Sequence, residues 1–206
     1  MPFKKVDVPK IRSLTIEEAG NLVDACEPAF QSLVKGALLT GARYGEVASL
    51  SVGDFNVDDK NVFIAESKNG ESRYVDLNEQ GIAHFRQVAG ERNPTELMFL
   101  KANGKWKQSE QQRPMDAACE DAYIEGVTFH ILRHTYASHA VMNGMPMEVL
   151  AEVLGHKDTR ITMRRYAHLC STYKQKLVQQ KAPVFAFKAP QIVHGPVLVP
   201  RRAKSA

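Results

Sequence analysis

The sequence predicts a mainly α-helical chain carrying one small three-stranded antiparallel β-sheet, an α+β class. Three observations lead there. Apolar residues recur at helical spacing on both sides of a short central stretch that alternates instead. An Asn-Gly pair, Asn69-Gly70, folds that stretch back on itself. The composition, 44% hydrophobic and 24% charged over 206 residues, supplies a core that stands without disulfides or a structural metal.

Taken in order, Thr15 stands three residues before Glu18, a capping box that opens a helix running to about Cys26. Pro28 suits the first turn of a second helix, whose apolar face carries Phe30, Leu33, Val34 and Leu38 and which Gly41 ends. A short helix with Val47 and Leu50 follows. Val62–Ala65 and Tyr74–Leu77 read as strands around the Asn69-Gly70 turn, and a strand near residues 52–57 completes the sheet. Residues 79–89 return to a helical pattern. Met98–Leu100 and Lys105–Lys107 flank Asn103-Gly104 as a second short hairpin. Beyond Gln108 the chain is helical, with turns at Gly126, Gly144-Met145-Pro146 and Gly155-His156-Lys157-Asp158. Ser171 to Gln180 reads as a further helix and Ala182 to Phe187 as an edge strand. Pro190, Pro196, Pro200 and the basic Arg201, Arg202 and Lys204 mark a loose tail. The expected organisation is a linker over residues 1–12, one domain over 13–182 and a tail over 183–206.

The net charge of +4 permits nucleic-acid binding without demanding it. Cys26, Cys119 and Cys170 form no Cys-x-x-Cys pair and no even set, so neither a zinc half-site nor a disulfide framework is indicated. The N-terminus lacks the apolar core of a signal peptide, and no stretch approaches 18 apolar residues. The expectation is a cytoplasmic protein in a reducing compartment, away from membranes.

Three segments concentrate chemistry. In Thr40-Gly41-Ala42-Arg43-Tyr44-Gly45-Glu46 an arginine beside a glycine break can aim its guanidinium into a cleft, with Glu46 to orient it. A planar guanidinium is a natural phosphate partner, although the same pair also reads as a surface ion pair at three-residue spacing. In His130-Ile131-Leu132-Arg133-His134 the two histidines and the arginine share one helical face, while Leu132 and Ala137 turn to the core. His-x-x-x-His is a zinc-ligand spacing, but a metalloprotease would carry Glu where Ile131 stands, and Arg133 would crowd any cation. A solvated basic face is the stronger competitor. In Leu154-Gly155-His156 through Tyr166-Ala167-His168 a Gly-His turn precedes a short basic helix bearing a tyrosine. Alone, such a tyrosine reads as a core or rim residue.

Together the three segments resemble the tyrosine recombinase (phage integrase) family over roughly residues 12–172. Box one matches Thr40 to Glu46 with Leu50 and Asp54. Box two matches His130 to His134 with Thr135, Ala137, Ser138 and Gly144. Box three matches Leu154-Gly155-His156 and Tyr166-Ala167-His168. The resemblance implies that family's catalytic-domain fold and no cofactor or metal. It implies that Arg43, Arg133 and His156 contact the scissile phosphate, that Tyr166 is the nucleophile, and that His130 assists proton transfer or stabilises the transition state. The family's strand lysine falls on Lys68, with Arg73 across the hairpin as the alternative. Glu46 supports the first arginine, and His134 and Ser138 take supporting roles.

Such a set suits metal-free phosphoryl transfer. Fixed cations stabilise the charge that grows at a pentacoordinate phosphorus. A tyrosine of ordinary pKa near 10 needs neighbours to lose its proton. Attack would give a 3′-phosphotyrosyl bond and a free 5′-hydroxyl, and reversal by another strand would rejoin DNA without ATP. Double-stranded DNA is the implied partner and a homotetramer at synapsis the implied assembly, in a bacterial or phage-encoded protein. Arg160, Arg164 and Arg165, with Lys4, Lys5, Lys10 and Arg12, are candidates for tracking phosphates. Relatives of this kind carry a helical domain before the catalytic one, for which the dozen leading residues have no room, so a fragment of a longer protein is expected. Type IB topoisomerases share the chemistry but not the box spacing. A catalytically inactive DNA-binding module is the alternative from another class, and a metal-dependent hydrolase using His130, His134 and His156 is a third.

Overall fold

The computed structural model describes residues 12–65, 71–102, 104–169 and 178–183. The helices are α1 (Ile16–Asp24), α2 (Pro28–Thr40), α3 (Tyr44–Ala48), α4 (Glu79–Ala89), α5 (Gln112–Asp121), α6 (Phe129–Met142), α7 (Met147–Leu154) and α8 (Thr159–Tyr166). The strands are β1 (Phe55–Asn56), β2 (Asn61–Ile64), β3 (Arg73–Asp76), β4 (Leu100–Lys101) and β5 (Gly104–Lys105).

Helix α2 is the axis, packed by α1, α3, α4 and α6. Phe30, Leu33, Val34 and Ala37 are buried at the spacing of a single apolar stripe, and buried Gly36 and Thr40 widen it. A Cβ on Gly36 would lie 2.6 Å from Phe99 Cζ, so only glycine lets that ring lie against the helix. Phe99 meets Phe85 edge-on with centroids 5.7 Å apart, and Phe85 meets Phe55 at 5.7 Å. On the other side Phe30 contacts Trp106 and Phe129. The capping box at Thr15 forms as expected: its hydroxyl accepts from Glu18 N at 3.0 Å, and Thr15 N donates to the Glu18 carboxylate at 2.7 Å. Leu14 is pinned to α6 on both sides, its N–H donating to Thr135 Oγ1 and its carbonyl accepting from His139 Nε2.

The three-stranded sheet has the order β1-β2-β3, all antiparallel, with Val62 opposite Val75 and Ile64 opposite Arg73. Val62, Ile64 and Val75 face inward, and so does Arg73, while Tyr74 packs on Phe63 on the outer face. The first strand is shorter than expected because Val52–Asp54 forms a 3-10 turn, which the Asp54 carboxylate closes on Ser51 N at 2.7 Å. Helix α3 stops at Ala48, and Leu50 instead offers its carbonyl to Met98 N. The second hairpin begins at Leu100, because Met98 and Phe99 are taken by the core. The Asn69-Gly70 turn, residues 184–187 of the expected edge strand and the tail beyond it lie outside the described residues, while Ala182 and Pro183, the described start of that strand, are not in a strand. Of the helix expected over 171–180, the described part, from residue 178, is helical.

Phe85 has no exposed surface and bridges two aromatic neighbours. Phe85→Ala is expected to cost about 3–5 kcal/mol by urea unfolding, because Phe55 and Phe99, held by different segments, cannot collapse into the gap.

Candidate active site

The site assembles where the ends of α2, α6, α7 and α8 meet the inner face of β3. It begins with Glu46, whose side chain is 2% exposed. Glu46 Oε1 accepts from Arg43 Nη1 at 2.7 Å, and its Oε2 accepts from Arg43 N at 2.9 Å. From the sheet, Arg73 Nη2 donates to the same carboxylate at 2.9 Å. Arg73 Nε donates to the Val153 carbonyl in the last turn of α7 at 2.6 Å. Arg73 is therefore a buried strut, and the alternative that would set it in place of Lys68 is corrected: its fork is bound to protein. The signal was available in the sequence, since Arg73 alternates with Val75 on the inward face of a strand, where a charge needs a partner. Lys68 itself lies outside the described residues.

Arg133 is 3% exposed and joins two helix ends. Its Nη1 donates to the Gly41 carbonyl at 2.9 Å, and its Nη2 donates to the Leu154 carbonyl. Both acceptors sit where helices leave carbonyls without intrahelical partners. Gly41 and Gly155 take left-handed conformations there, with φ of 64° and 63°. A Cβ on Gly41 would lie 2.6 Å from the Tyr136 ring, and one on Gly155 2.7 Å from Arg73 Nη1. The glycines of the first and third boxes thus let guanidinium and ring approach the backbone. Arg133 Nη2 also reaches His156 Nε2 at 3.1 Å, and His156 Nδ1 bonds Thr162 Oγ1 at 2.7 Å.

Tyr166 ends α8, which Asp158 caps by accepting from Arg160 N at 2.9 Å. Tyr166 is 1% exposed and its hydroxyl pairs with His134 Nδ1 at 2.5 Å. His134 in turn meets His130 edge-on with centroids 4.4 Å apart. The shared face of α6 is therefore largely internal: Arg133 and His134 are buried, and His130 is exposed at its rim. Arg43, His130 and Arg133 line a cleft of about 340 Å³ beside Tyr44 and Gln108. Arg165 is half-buried near the histidines, Arg164 is exposed, and exposed Arg160 is bound to Asp158 at 2.9 Å. Thr162 was missed by sequence reasoning, although its place four residues before Tyr166 sets both on one helix face. Of the residues singled out from the sequence, Arg43, Glu46, His130, Arg133, His134, His156 and Tyr166 come together. Arg160 and Arg164 stand outside on α8.

The electrostatics follow from packing cations around one carboxylate. Burial and the neighbouring Arg43 lower the Arg133 pKa to about 9, which leaves it charged at neutral pH. Burial, with Arg133, Arg43, Arg165 and Arg73 adding repulsion, takes His156 down to about 4. Burial, then His130 and Arg165, does the same to His134. His130 is lowered by burial and by Arg165. Burial raises Tyr166, with Arg133 and Arg165 pulling the other way. Among the described residues the site holds neutral imidazoles, a protonated phenol and guanidiniums in excess of carboxylate. A phosphate diester supplies the negative charge and the lone pairs such a site lacks.

For Glu46, burial favours the neutral acid, but the bonds from Arg73 and Arg43 outweigh it and take its pKa from 4.5 to about 2. A carboxylate lowered in the folded state adds stability that is complete above its unfolded pKa and lost as pH falls through its folded one. The urea midpoint should therefore drop between about pH 4.5 and 2. Glu46→Gln should remove that part of the profile and be less stable at pH 7 by about 3–5 kcal/mol, since Arg73 would be buried without its counter-charge.

No helix among the described residues is long and apolar enough to cross a membrane. The phage integrase family model matches residues 12–172. The integrase of Salmonella phage P22 is 30% identical over 210 residues, spanning 94% of this chain and 54% of that protein. The tyrosine recombinase XerA of Saccharolobus solfataricus is 28% identical over 82% of this chain and 56% of its own length. The chain thus spans about half the length of these relatives. Among solved structures, the catalytic domain of bacteriophage HP1 integrase superposes with a TM-score of 0.64 at 25% identity, over 83% of this chain and 95% of that one. The Tn1549 transposon integrase shares the fold, with a TM-score of 0.71 at 17% identity over 87% of this chain and 68% of that one. With three boxes converging on one cationic site and a family match over most of its length, the chain belongs to the phage integrase family of tyrosine recombinases.

Proposed function

We propose that the chain is the catalytic domain of a site-specific DNA recombinase, residues 13–182, which cuts and rejoins strands through Tyr166. The observation that carries this reading is that three separate segments meet: Arg43 and Arg133 line one cleft with His130, His156 is bonded to Arg133, and Tyr166 is linked to His130 through His134. Arg43, Arg133 and His156 bind the scissile phosphate. The Tyr166 oxygen attacks phosphorus, a 3′-phosphotyrosyl bond forms, and the bond to O5′ breaks. Lys68, on the β2–β3 connection, donates the proton that O5′ takes up, and His130 stabilises the transition state from the rim. Glu46 and His134 orient Arg43 and Tyr166. Arg160, Arg164 and Arg165 contact the DNA backbone beside the nucleophile.

Double-stranded DNA is the partner. The Tn1549 integrase was solved in complex with transposon right end DNA, and its fold is shared. Exchanging two duplexes needs four strand cleavages, one tyrosine each, so a homotetramer on DNA is the working unit. The cytoplasm is the compartment, where DNA and reduced thiols coexist. Because Tyr166 is 1% exposed, its hydroxyl reaches a phosphate only after the last turn of α8, beyond Thr162, moves.

The test uses duplexes nicked beside the cleavage point, drawn from a pool of sequences, in EDTA. A denaturation-resistant protein–DNA adduct should form and should be absent with Tyr166→Phe. DNA binding without adduct from a full-length protein would instead establish the inactive-module reading. Dependence on a divalent ion would establish the metal hydrolase. Arg133→Lys should lower the adduct rate at least about a hundredfold, since an ammonium cannot bridge two carbonyls and a phosphate. Lys68→Ala should lose about a hundredfold or more on ordinary DNA and recover on a 5′-bridging phosphorothiolate, whose leaving thiolate needs no proton.

A further inference from the structure

The hydrogen bonds around His156 fix which of its nitrogens carries the proton. Arginine has donors only, so the 3.1 Å contact from Arg133 Nη2 makes His156 Nε2 the acceptor. A neutral imidazole has one N–H, which must then lie on Nδ1 and donate to Thr162 Oγ1 at 2.7 Å. The neutral form is the one present at neutral pH, because burial and four arginines hold His156 near a pKa of 4. That pattern is wrong for an anion. Nε2 offers a lone pair, and a phosphate oxygen also offers only lone pairs. To hold a phosphate, His156 has to carry its proton on Nε2.

Thr162 makes the change possible without leaving a buried atom unpaired. It is fully buried, so water does not stand in for it, and a hydroxyl both accepts and donates. We propose that Thr162 is a positioning residue that lets His156 exchange its donor pattern on phosphate binding. In the empty site the hydroxyl accepts from Nδ1–H while Arg133 holds Nε2. With phosphate bound, Arg133 Nη2 is released to the anion, Nε2–H donates to a phosphate oxygen, and the Thr162 hydroxyl turns to donate to Nδ1. One proton leaves Nδ1 and one arrives at Nε2, exchanged with water, and no other bond changes. This deepens the reading of the site as a phosphate site and rests on it.

The test is ¹⁵N NMR of the histidine-labelled chain at pH 7, with His156→Asn to assign the signals. Wild type should show a protonated Nδ1 and an unprotonated Nε2 when empty, and a protonated Nε2 on titration with inorganic phosphate. Thr162→Val keeps the volume and removes the hydroxyl. It should need about tenfold more phosphate for the change and lower the adduct rate on nicked DNA by about tenfold, whereas Thr162→Ser should restore both. Wild type with its proton on Nε2 in the empty state would overturn the proposal. So would Thr162→Val responding to phosphate as wild type does. A wild type that exchanges its proton yet forms no adduct on any DNA would leave Thr162's role standing and remove the recombinase reading. A wild type that forms adduct while His156 keeps Nδ1–H at saturating phosphate would do the reverse.

Discussion

Burying a guanidinium is expensive unless its N–H groups find acceptors, and Arg133 meets that demand with backbone rather than with a carboxylate. Its fork takes the Gly41 carbonyl from the end of α2 and the Leu154 carbonyl from the end of α7. Helix C-termini carry partial negative charge and unpaired carbonyls, so each end is an acceptor the fold would otherwise have to satisfy by other means. The same bonds bring the first and third sequence boxes within reach of one another. Arg73 repeats the device one residue earlier, at Val153. Two guanidiniums thus close the C-terminal turn of α7, and Gly155 is required because a side chain there would displace Arg73.

This way of holding arginines leaves their charge uncompensated. Backbone carbonyls satisfy hydrogen bonds without supplying a full negative charge, and among the described residues one carboxylate, Glu46, is shared between Arg43 and Arg73. The surplus appears as the lowered pKa values of His130, His134 and His156, which are kept neutral by burial and by repulsion from the arginines. An incoming phosphate reverses that balance. It pairs the surplus charge with its own negative oxygens. The site therefore offers an anion fixed donors and surplus positive charge.

Much of this was legible in the sequence, because local signals and tertiary structure agree. The capping box at Thr15, the Pro28 start and Gly41 stop of α2, and the alternation of β2 and β3 follow from rules that act within a few residues. The three boxes gave the residues that converge at the site, since their chemistry and spacing are local too. What escaped depends on long-range partners. The alternation of β3 turns Arg73 inward, but which groups it meets there, Glu46 and Val153, is set by distant segments. Thr162 reads as an ordinary helix residue until the turn at Gly155 brings His156 over it. The burial of Arg133 and His134 was obscured because a basic face reads as solvated, and nothing in a single helix says that its carbonyl acceptors come from two others. The shortening of β1 has a local cause that was overlooked: Ser51 and Asp54 favour a capped turn over extension.

The placement of Tyr166 has a consequence for where flexibility belongs. Its ring packs with Ala137, Val141, Leu150 and Leu154, a small apolar cluster separate from the main core around α2. Withdrawing it therefore exposes the satellite cluster and leaves the aromatic core of Phe30, Phe85 and Phe99 intact. Fully burying an aromatic side chain contributes about 1.5–3 kcal/mol, and the bond to His134 adds about 1 kcal/mol more. That sum is within what a few charge-assisted phosphate contacts return, and it is well below the cost of opening a whole domain. The division into two clusters puts a low cost on moving the last turn of α8, while the cleft lined by Arg43, Tyr44, His130 and Arg133 is built on α3 and α6. On the proposed reading, with Tyr166 as nucleophile, a cheaply displaced tyrosine beside a rigid charge cradle is the arrangement that would limit strand cleavage to occasions when DNA is bound.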